Sequence, residues 1–276
     1  MLNHSANIEE LRAQVVELSS RLNVAEALKS HFISNVANEI VNPFSSILGL
    51  SSQMMEIKSI DITQVKHLAS LIHTEAFHLD FQLRNIFAAA KIEAGQTEPE
   101  IRTFKISEAV ADLVGLFKLE ANKRNLDIQT VYVSGASADT TWTTDIVKLK
   151  LIIINFLHNS VKFSKNNSEI EIRIGQEGDT LSIGIKDNGI GIPADQVGYI
   201  FDRFKTIGTG INTAYRGNGL GLAVNKSLAD IIGANIHLKT KEGEGTEFTI
   251  NIPRLNITAE QTANSSEFLF DDELIF

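Results

Sequence analysis

Thr180-Leu181-Ser182-Ile183-Gly184-Ile185-Lys186 runs directly into Asp187-Asn188-Gly189-Ile190-Gly191-Ile192-Pro193, a strand-like stretch followed by a glycine box. Two glycines let the backbone approach a flat ligand closely, and Asp187 can accept a hydrogen bond from an exocyclic amine. Asp-Asn-Gly also suits a hairpin turn, so the box alone leaves both readings open. Outward from it, further strand-like runs fall at Leu126–Val133, Glu169–Gly175, Asn235–Lys241 and Thr246–Ile252. Helical stretches are predicted over 107–124, 145–164, 194–204 and 218–233. This mixture predicts an α+β sandwich over 104–254, with a mostly antiparallel sheet and helices on one face.

The N-terminal part reads differently. Ile8, Leu11, Val15, Leu18, Leu22 and Ala25 recur with heptad spacing, which predicts a coiled-coil signalling helix over 1–30. An amphipathic surface helix would show the same pattern. The apolar positions continue through Leu28, Phe32 and Val36, and a second helical piece is expected to about residue 56, kinked at Pro43. After a turn near Lys58–Asp61, a long helix is predicted from 62 to 94, ended by Gly95. Two long helices joined by a short turn form a hairpin, here 31–98. A lone hairpin cannot bury both faces, so a dimeric four-helix bundle is expected.

Composition narrows the partners. The chain has 276 residues and a formal charge of -9, which disfavours nucleic acid because phosphate binding needs a basic surface. It has no cysteine, so thiolate chemistry, disulfides and cysteine metal sites are excluded. No run of 18 apolar residues is present, and Met1-Leu2-Asn3-His4 does not begin a signal peptide. A cytoplasmic protein, or the cytoplasmic part of a larger sensor, is expected.

Three further segments carry chemistry. In Asn155-Phe156-Leu157-His158-Asn159-Ser160-Val161-Lys162-Phe163, Asn155 and Asn159 are one helical turn apart and Lys162 lies beside Asn159. A carboxamide oxygen can ligand a hard cation and a lysine can meet phosphate, but an exposed polar face would look alike. Gly217-Asn218-Gly219-Leu220-Gly221-Leu222 opens a helix, where free N–H groups and the helix dipole favour an anion. It lacks the parallel βαβ setting of a dinucleotide fingerprint. Gly243-Glu244-Gly245-Thr246-Glu247-Phe248 is a glycine turn before the last strand.

Taken in this order, and with Ile200-Phe201-Asp202-Arg203-Phe204 between them, the boxes resemble the ATP-binding domain of sensor histidine kinases. The resemblance implies ATP and magnesium as cofactors. It gives Asp187 the adenine amine, Asn159 the magnesium ion with Asn155 beside it, and Lys162 a phosphate. Gly189 and Gly191 would shape the adenine pocket, and Gly217, Gly219, Leu220 and Gly221 would border the phosphates. Thr246 would complete the nucleotide site. Residues 205–216, including Thr209 and Arg216, would form a mobile lid; Arg216 could contact phosphate or simply be exposed.

The hairpin resembles the same family. Phe32-Ile33-Ser34-Asn35-Val36-Ala37-Asn38-Glu39-Ile40-Val41-Asn42-Pro43 follows its phospho-acceptor box, and Lys91-Ile92-Glu93-Ala94-Gly95 its second-helix ending. Where the family has histidine, this chain has Asn38. A neutral imidazole offers a nucleophilic lone pair; the amide nitrogen of asparagine is delocalised into its carbonyl. His31 is two turns away, about 10 Å along the axis, and makes a poor substitute. Glu39 and Asn42 retain the family's acid and its water-positioning residue. The resemblance therefore implies a dimeric kinase relative that binds ATP and faces a response-regulator receiver domain, yet does not autophosphorylate at the usual position. The alternatives are a response-regulator phosphatase using Asn42, a kinase acting in trans on the histidine of another kinase, and an active kinase carrying an engineered change at 38. The clamp ATPases that share the ATP fold are disfavoured by the hairpin. Residues 255–276 read as a linker or tail, in which Phe268–Glu273 resembles the start of a receiver domain or is simply acidic and disordered.

Overall fold

The computed structural model describes residues 2–57, 61–97, 100–203 and 219–255; in the first helix, side chains are described at 12, 14–20, 34, 37 and from 39 onward. The lid positions 205–216, with Thr209 and Arg216, lie outside the described residues, as do Gly217, the tail from 256, and the side chain of Asn38.

Helix α1 spans Leu2–Met55 without a break. Pro43 sits inside it: one lost backbone donor does not end a helix of this length. The two predicted pieces are one helix. Helix α2, Ile62–Glu93, begins at Asp61, whose Oδ1 accepts from the N–H groups of Thr63 and Gln64 at 2.9 and 3.3 Å. It ends at Gly95, φ 68°, with Gln96 N–H donating to Lys91 O at 3.0 Å. Gln82 Nε2 donates to Glu39 Oε2 at 3.3 Å, tying the two helices together.

The chain separates into two compact units, one of helices through Leu83 and one beginning at Arg84. The first leaves much apolar surface open. Val41, Phe44, Leu48 and Met55 are between 53% and 81% exposed and recur at helical spacing along α1. Val15 and Leu18 of the heptad seam are exposed as well.

The second unit is a sandwich. Its sheet contains β2 (Asp127–Val133), β4 (Glu169–Glu177), β5 (Thr180–Asp187), β6 (Asn235–Lys241) and β7 (Gly245–Pro253), in the order β2-β4-β5-β7-β6. Only the β2–β4 pair is parallel. Alternation along the strands puts Ile170, Ile172, Ile174, Leu181, Ile183, Ile185, Ile250 and Ile252 in the core, each at most 1% exposed. Helices α3 (Ile106–Lys123), α4 (Ile146–Phe163) and α5 (Gly221–Ile231) cover that face. Phe156 of α4 stacks on Phe248 of β7 with ring centroids 4.8 Å apart. Asp145 starts α4, its Oδ1 accepting from Lys148 N–H at 3.0 Å.

Three local expectations change. A small antiparallel sheet pairs β1 (Ile101–Lys105) with β3 (Thr141–Asp145), which the sequence pattern did not announce. The helix expected over 194–204 is reduced, within the described residues, to one 3-10 turn at Val197–Tyr199; Gly198 at its centre weakens a helix there. Helix α5 begins at Gly221, after Gly219 at φ 65°, a left-handed conformation that an α-helix cannot include.

Candidate nucleotide-binding site

The site is built where the end of β5 meets the end of α4. Asp187 closes β5 and pairs with Thr246 of β7, and its side chain is 4% exposed. Its Oδ1 accepts from the N–H groups of Gly189 at 2.9 Å and Thr246 at 3.2 Å. Its Oδ2 accepts from Ser160 Oγ, on α4, at 3.3 Å. Burial pushes the Asp187 carboxyl above the usual carboxylate range, while the bonds from Gly189, Thr246 and Ser160 oppose that rise. A carboxylate can accept about four hydrogen bonds, so Oδ2 retains capacity for one more donor.

The glycines around Asp187 are required by contact. A Cβ on Gly189 would come within 2.5 Å of Phe163 O, one on Gly191 within 2.0 Å of Lys241 O, and one on Gly245 within 2.1 Å of Asp187 O. Gly191 is also at φ 67°. Ser164 and Gly189 form a β-bridge, and Ile190 N–H donates to Phe163 O at 3.3 Å. The glycine box is therefore fastened to the end of the helix that carries the asparagines.

Those asparagines differ in surroundings. Asn159 and Lys162 are half-buried, and Lys162 Nζ stands 5.0 Å from the Phe163 ring centroid. Asn155 is 1% exposed and its amide is engaged inside the protein. It exchanges two 2.9 Å hydrogen bonds with Asn85 and donates to Asn225 Oδ1 at 2.6 Å and Gly221 O at 3.2 Å. Asn225 in turn donates to Ile152 O at 3.1 Å. Three nearly inaccessible asparagines thus join the last turns of α2 to α4 and α5 within the second unit. Such a network is stabilising only when every member is satisfied, as here. Leu220 is buried and Gly221 half-buried at the start of α5, with Asn155 beneath them.

Sequence reasoning did not find Ser160, Asn85 or Asn225. Asn85 lies on the buried stripe of α2 between Phe81 and Ala89, four residues from each, a polar residue on an otherwise apolar face. Ser160 follows Asn159 but is fully buried, where its hydroxyl reaches Asp187. On the hairpin, Glu39 is half-buried against Gln82 and Asn42 is exposed. Among the described residues no three His, Asp or Glu side chains gather as a metal site. A half-buried carboxamide beside a lysine fits a magnesium ion that arrives with phosphate oxygens, since magnesium commonly takes few protein ligands. The remaining acceptor position of Asp187 and the glycine-lined backbone fit the amine and the flat face of an adenine ring.

A helical hairpin followed by a sandwich of this kind is the architecture also found in solved histidine kinases. Residues 144–256 match the family described as histidine kinase-, DNA gyrase B- and HSP90-like ATPases, and that segment is an ATP-binding domain. The chain is 27% identical over 245 residues to the circadian input-output histidine kinase CikA of Synechococcus elongatus, covering 88% of this chain and 32% of that protein. It is 27% identical over 252 residues to the sensor histidine kinase RcsC of Escherichia coli strain K12, covering 87% and 26%. It thus spans about a third or less of these two relatives. Full-length ShkA in complex with AMPPNP shares the fold, with TM-score 0.57, 18% identity and coverage of 83% of this chain and 47% of that one. So does the histidine kinase ThkA in complex with the response regulator TrrA, with TM-score 0.53, 22% identity and coverage of 86% and 64%. No helix among the described residues is long and apolar enough to cross a membrane.

Proposed function

We propose that this chain binds ATP with magnesium, dimerises through its hairpin, and does not phosphorylate itself at the usual position. The observation that carries the nucleotide reading is the Asp187 carboxylate, buried, oriented by Ser160, Gly189 and Thr246, and left with one acceptor position. Asp187 accepts the adenine amine, and Gly189 and Gly191 let the ring lie against backbone. Asn159 holds magnesium and Lys162 meets phosphate, with Asn155 supporting them from within α4. Gly217, Gly219, Leu220 and Gly221 border the phosphates, Thr246 holds Asp187, and Thr209 and Arg216 belong to the lid.

The acceptor reading rests on residue 38. An asparagine amide has no nucleophilic nitrogen for phosphoryl transfer. Glu39 and Asn42 remain, and the exposed Asn42 favours a second reading, in which it orients water on the aspartyl phosphate of a response regulator. The ThkA–TrrA complex is a kinase of this fold with a regulator bound, which supports a receiver domain as partner. Transfer to the histidine of another kinase, and an active kinase carrying an engineered His-to-Asn change at 38, are the other versions. The hairpin's exposed Val41, Phe44, Leu48 and Met55 support a second copy as its cover. The chain is read as the cytoplasmic part of a larger sensor.

Calorimetric titration of the full chain with ATP tests the core of this reading. Saturable binding that tightens with magnesium is expected, and binding that Asn159→Ala makes insensitive to magnesium. Absence of any ATP binding by the unmodified chain contradicts it. Incubation with a phosphorylated receiver domain addresses the second reading, which requires faster loss of phosphate with this chain than with Asn42→Ala.

A further inference from the structure

The C-terminal end of α4 is the most functionally loaded turn of the molecule, because Asn159, Ser160 and Lys162 all fall in its last five residues. A helix leaves its last four carbonyls without intrahelical partners, and a buried end needs other donors. Here those donors come from two sides. Ile190 N–H of the glycine box reaches Phe163 O at 3.3 Å. On the other side stands a single residue, Arg124, at the end of α3.

The Arg124 guanidinium spans that end of α4. Its Nη1 donates to Lys162 O at 2.9 Å and also to Val161 O. Its Nη2 donates to Ser164 O at 2.5 Å and its Nε to Asn166 Oδ1 at 3.0 Å. Its own backbone is fixed: Arg124 N–H donates to Ala121 O at 3.1 Å, and Arg124 O accepts from Asn167 N–H at 3.0 Å. Four consecutive carbonyls, 161 to 164, are therefore all taken: 161, 162 and 164 by Arg124 and 163 by the glycine box. A planar fork of five donors can do this, and an ammonium on a flexible stem cannot. The positive charge also faces the negative end of the helix dipole.

We propose that Arg124 is a positioning residue for nucleotide binding, holding the end of α4 against the 187–191 box so that Asn159, Lys162 and Asp187 keep their separation. The proposal rests on the ATP-binding reading above. Arg124 touches none of the residues assigned to the adenine or the metal except through backbone carbonyls, so its effect is transmitted by geometry. When the fork is lost, the 161–164 ribbon relaxes and Ser164 and Phe163 loosen from Gly189 and Ile190. The adenine and phosphate ends of the site then weaken together.

The test compares magnesium-ATP affinity by calorimetry in the full chain for the unmodified protein, Arg124→Lys, Arg124→Ala and Arg254→Lys. Arg254 stacks on the buried Trp142 at 4.1 Å in the same unit and serves as a control of structural weight. Arg124→Lys is expected to weaken binding about tenfold, as loss of charged bidentate hydrogen bonds would. Arg254→Lys should leave affinity unchanged. Low-millimolar guanidinium should restore binding to Arg124→Ala without affecting the unmodified chain. Amide exchange should quicken at Gly189 and Ile190 in Arg124→Lys while Ile172 and Ile174 stay protected. If both Arg124 variants bind within twofold of the unmodified chain, or if lost binding simply follows lost folding and guanidinium restores nothing, the proposal is wrong. Should the unmodified chain bind no ATP, the functional reading has failed instead, and the exchange data still decide whether Arg124 holds the box.

Discussion

The sandwich and the hairpin of this chain use apolar residues in opposite ways. In the sandwich, Phe156, Ile172, Ile185 and Ile250 are fully enclosed by their own chain. In the hairpin, Phe44 and Leu48 remain 53% and 54% exposed although they sit on one stripe of α1. The first region closes its own core and can hold a buried carboxylate at a fixed place. The second leaves that stripe uncovered by its own chain. The candidate nucleotide site thus lies in the region that closes its own core, and residue 38 lies on a helix of the region that does not.

One aromatic residue from each region gives the widest contrast. Phe156→Ala is expected to cost about 4 kcal/mol of sandwich stability, read as a lowered denaturation midpoint. Phe44→Ala should leave that midpoint in place and weaken self-association by about 2 kcal/mol, roughly thirtyfold, read by sedimentation across concentrations. An equal loss of midpoint in both variants would break the comparison.

Asp187→Asn follows in size. It should lower ATP affinity by about a hundredfold, the effect of removing a charged acceptor, while the protein stays folded. The pH dependence has two opposite signs. Because burial raises the carboxyl's pKa, ATP affinity falls as pH drops through that raised value and the carboxylate takes up its proton. For stability, the raised value means that Asp187 favours the fold below its unfolded pKa and loses that contribution as pH rises through the folded one. Asp187→Asn should therefore abolish the acid-side loss of affinity without lowering the midpoint at neutral pH.

The smallest expected effect belongs to Arg254→Lys. Removing the planar cation from the Trp142 face should lower the midpoint by less than about 1 kcal/mol. A larger fall would show that the β1–β3 side of the sandwich depends on that one contact.

Much of this was legible before the structure. The α2 prediction of 62–94 meets an observed Ile62–Glu93, because Asp61 and Gly95 punctuate both ends. The five strands of the main sheet were legible because strongly alternating or apolar runs sit between turn residues. The β1–β3 pair was not, since Ile-Arg-Thr-Phe-Lys and Thr-Trp-Thr-Thr-Asp are short and pass straight into helices without a turn. Asp187 could be singled out from its glycines, but not its orientation by Ser160, which depends on α4 lying against β5. The Asn85–Asn155–Asn225 network and the Arg124 fork are tertiary in the same sense, joining residues about 70 and 40 positions apart in the chain.

The central proposal is that the chain binds ATP with magnesium and carries, at residue 38, an asparagine that cannot receive phosphate. Incubation of the full chain with radiolabelled ATP and magnesium, unmodified and as Asn38→His, followed by measurement of acid-labile phosphate, tests it most directly. The account predicts no label on the unmodified chain and label on Asn38→His. Label on the unmodified chain, or none on either despite ATP binding, would contradict it.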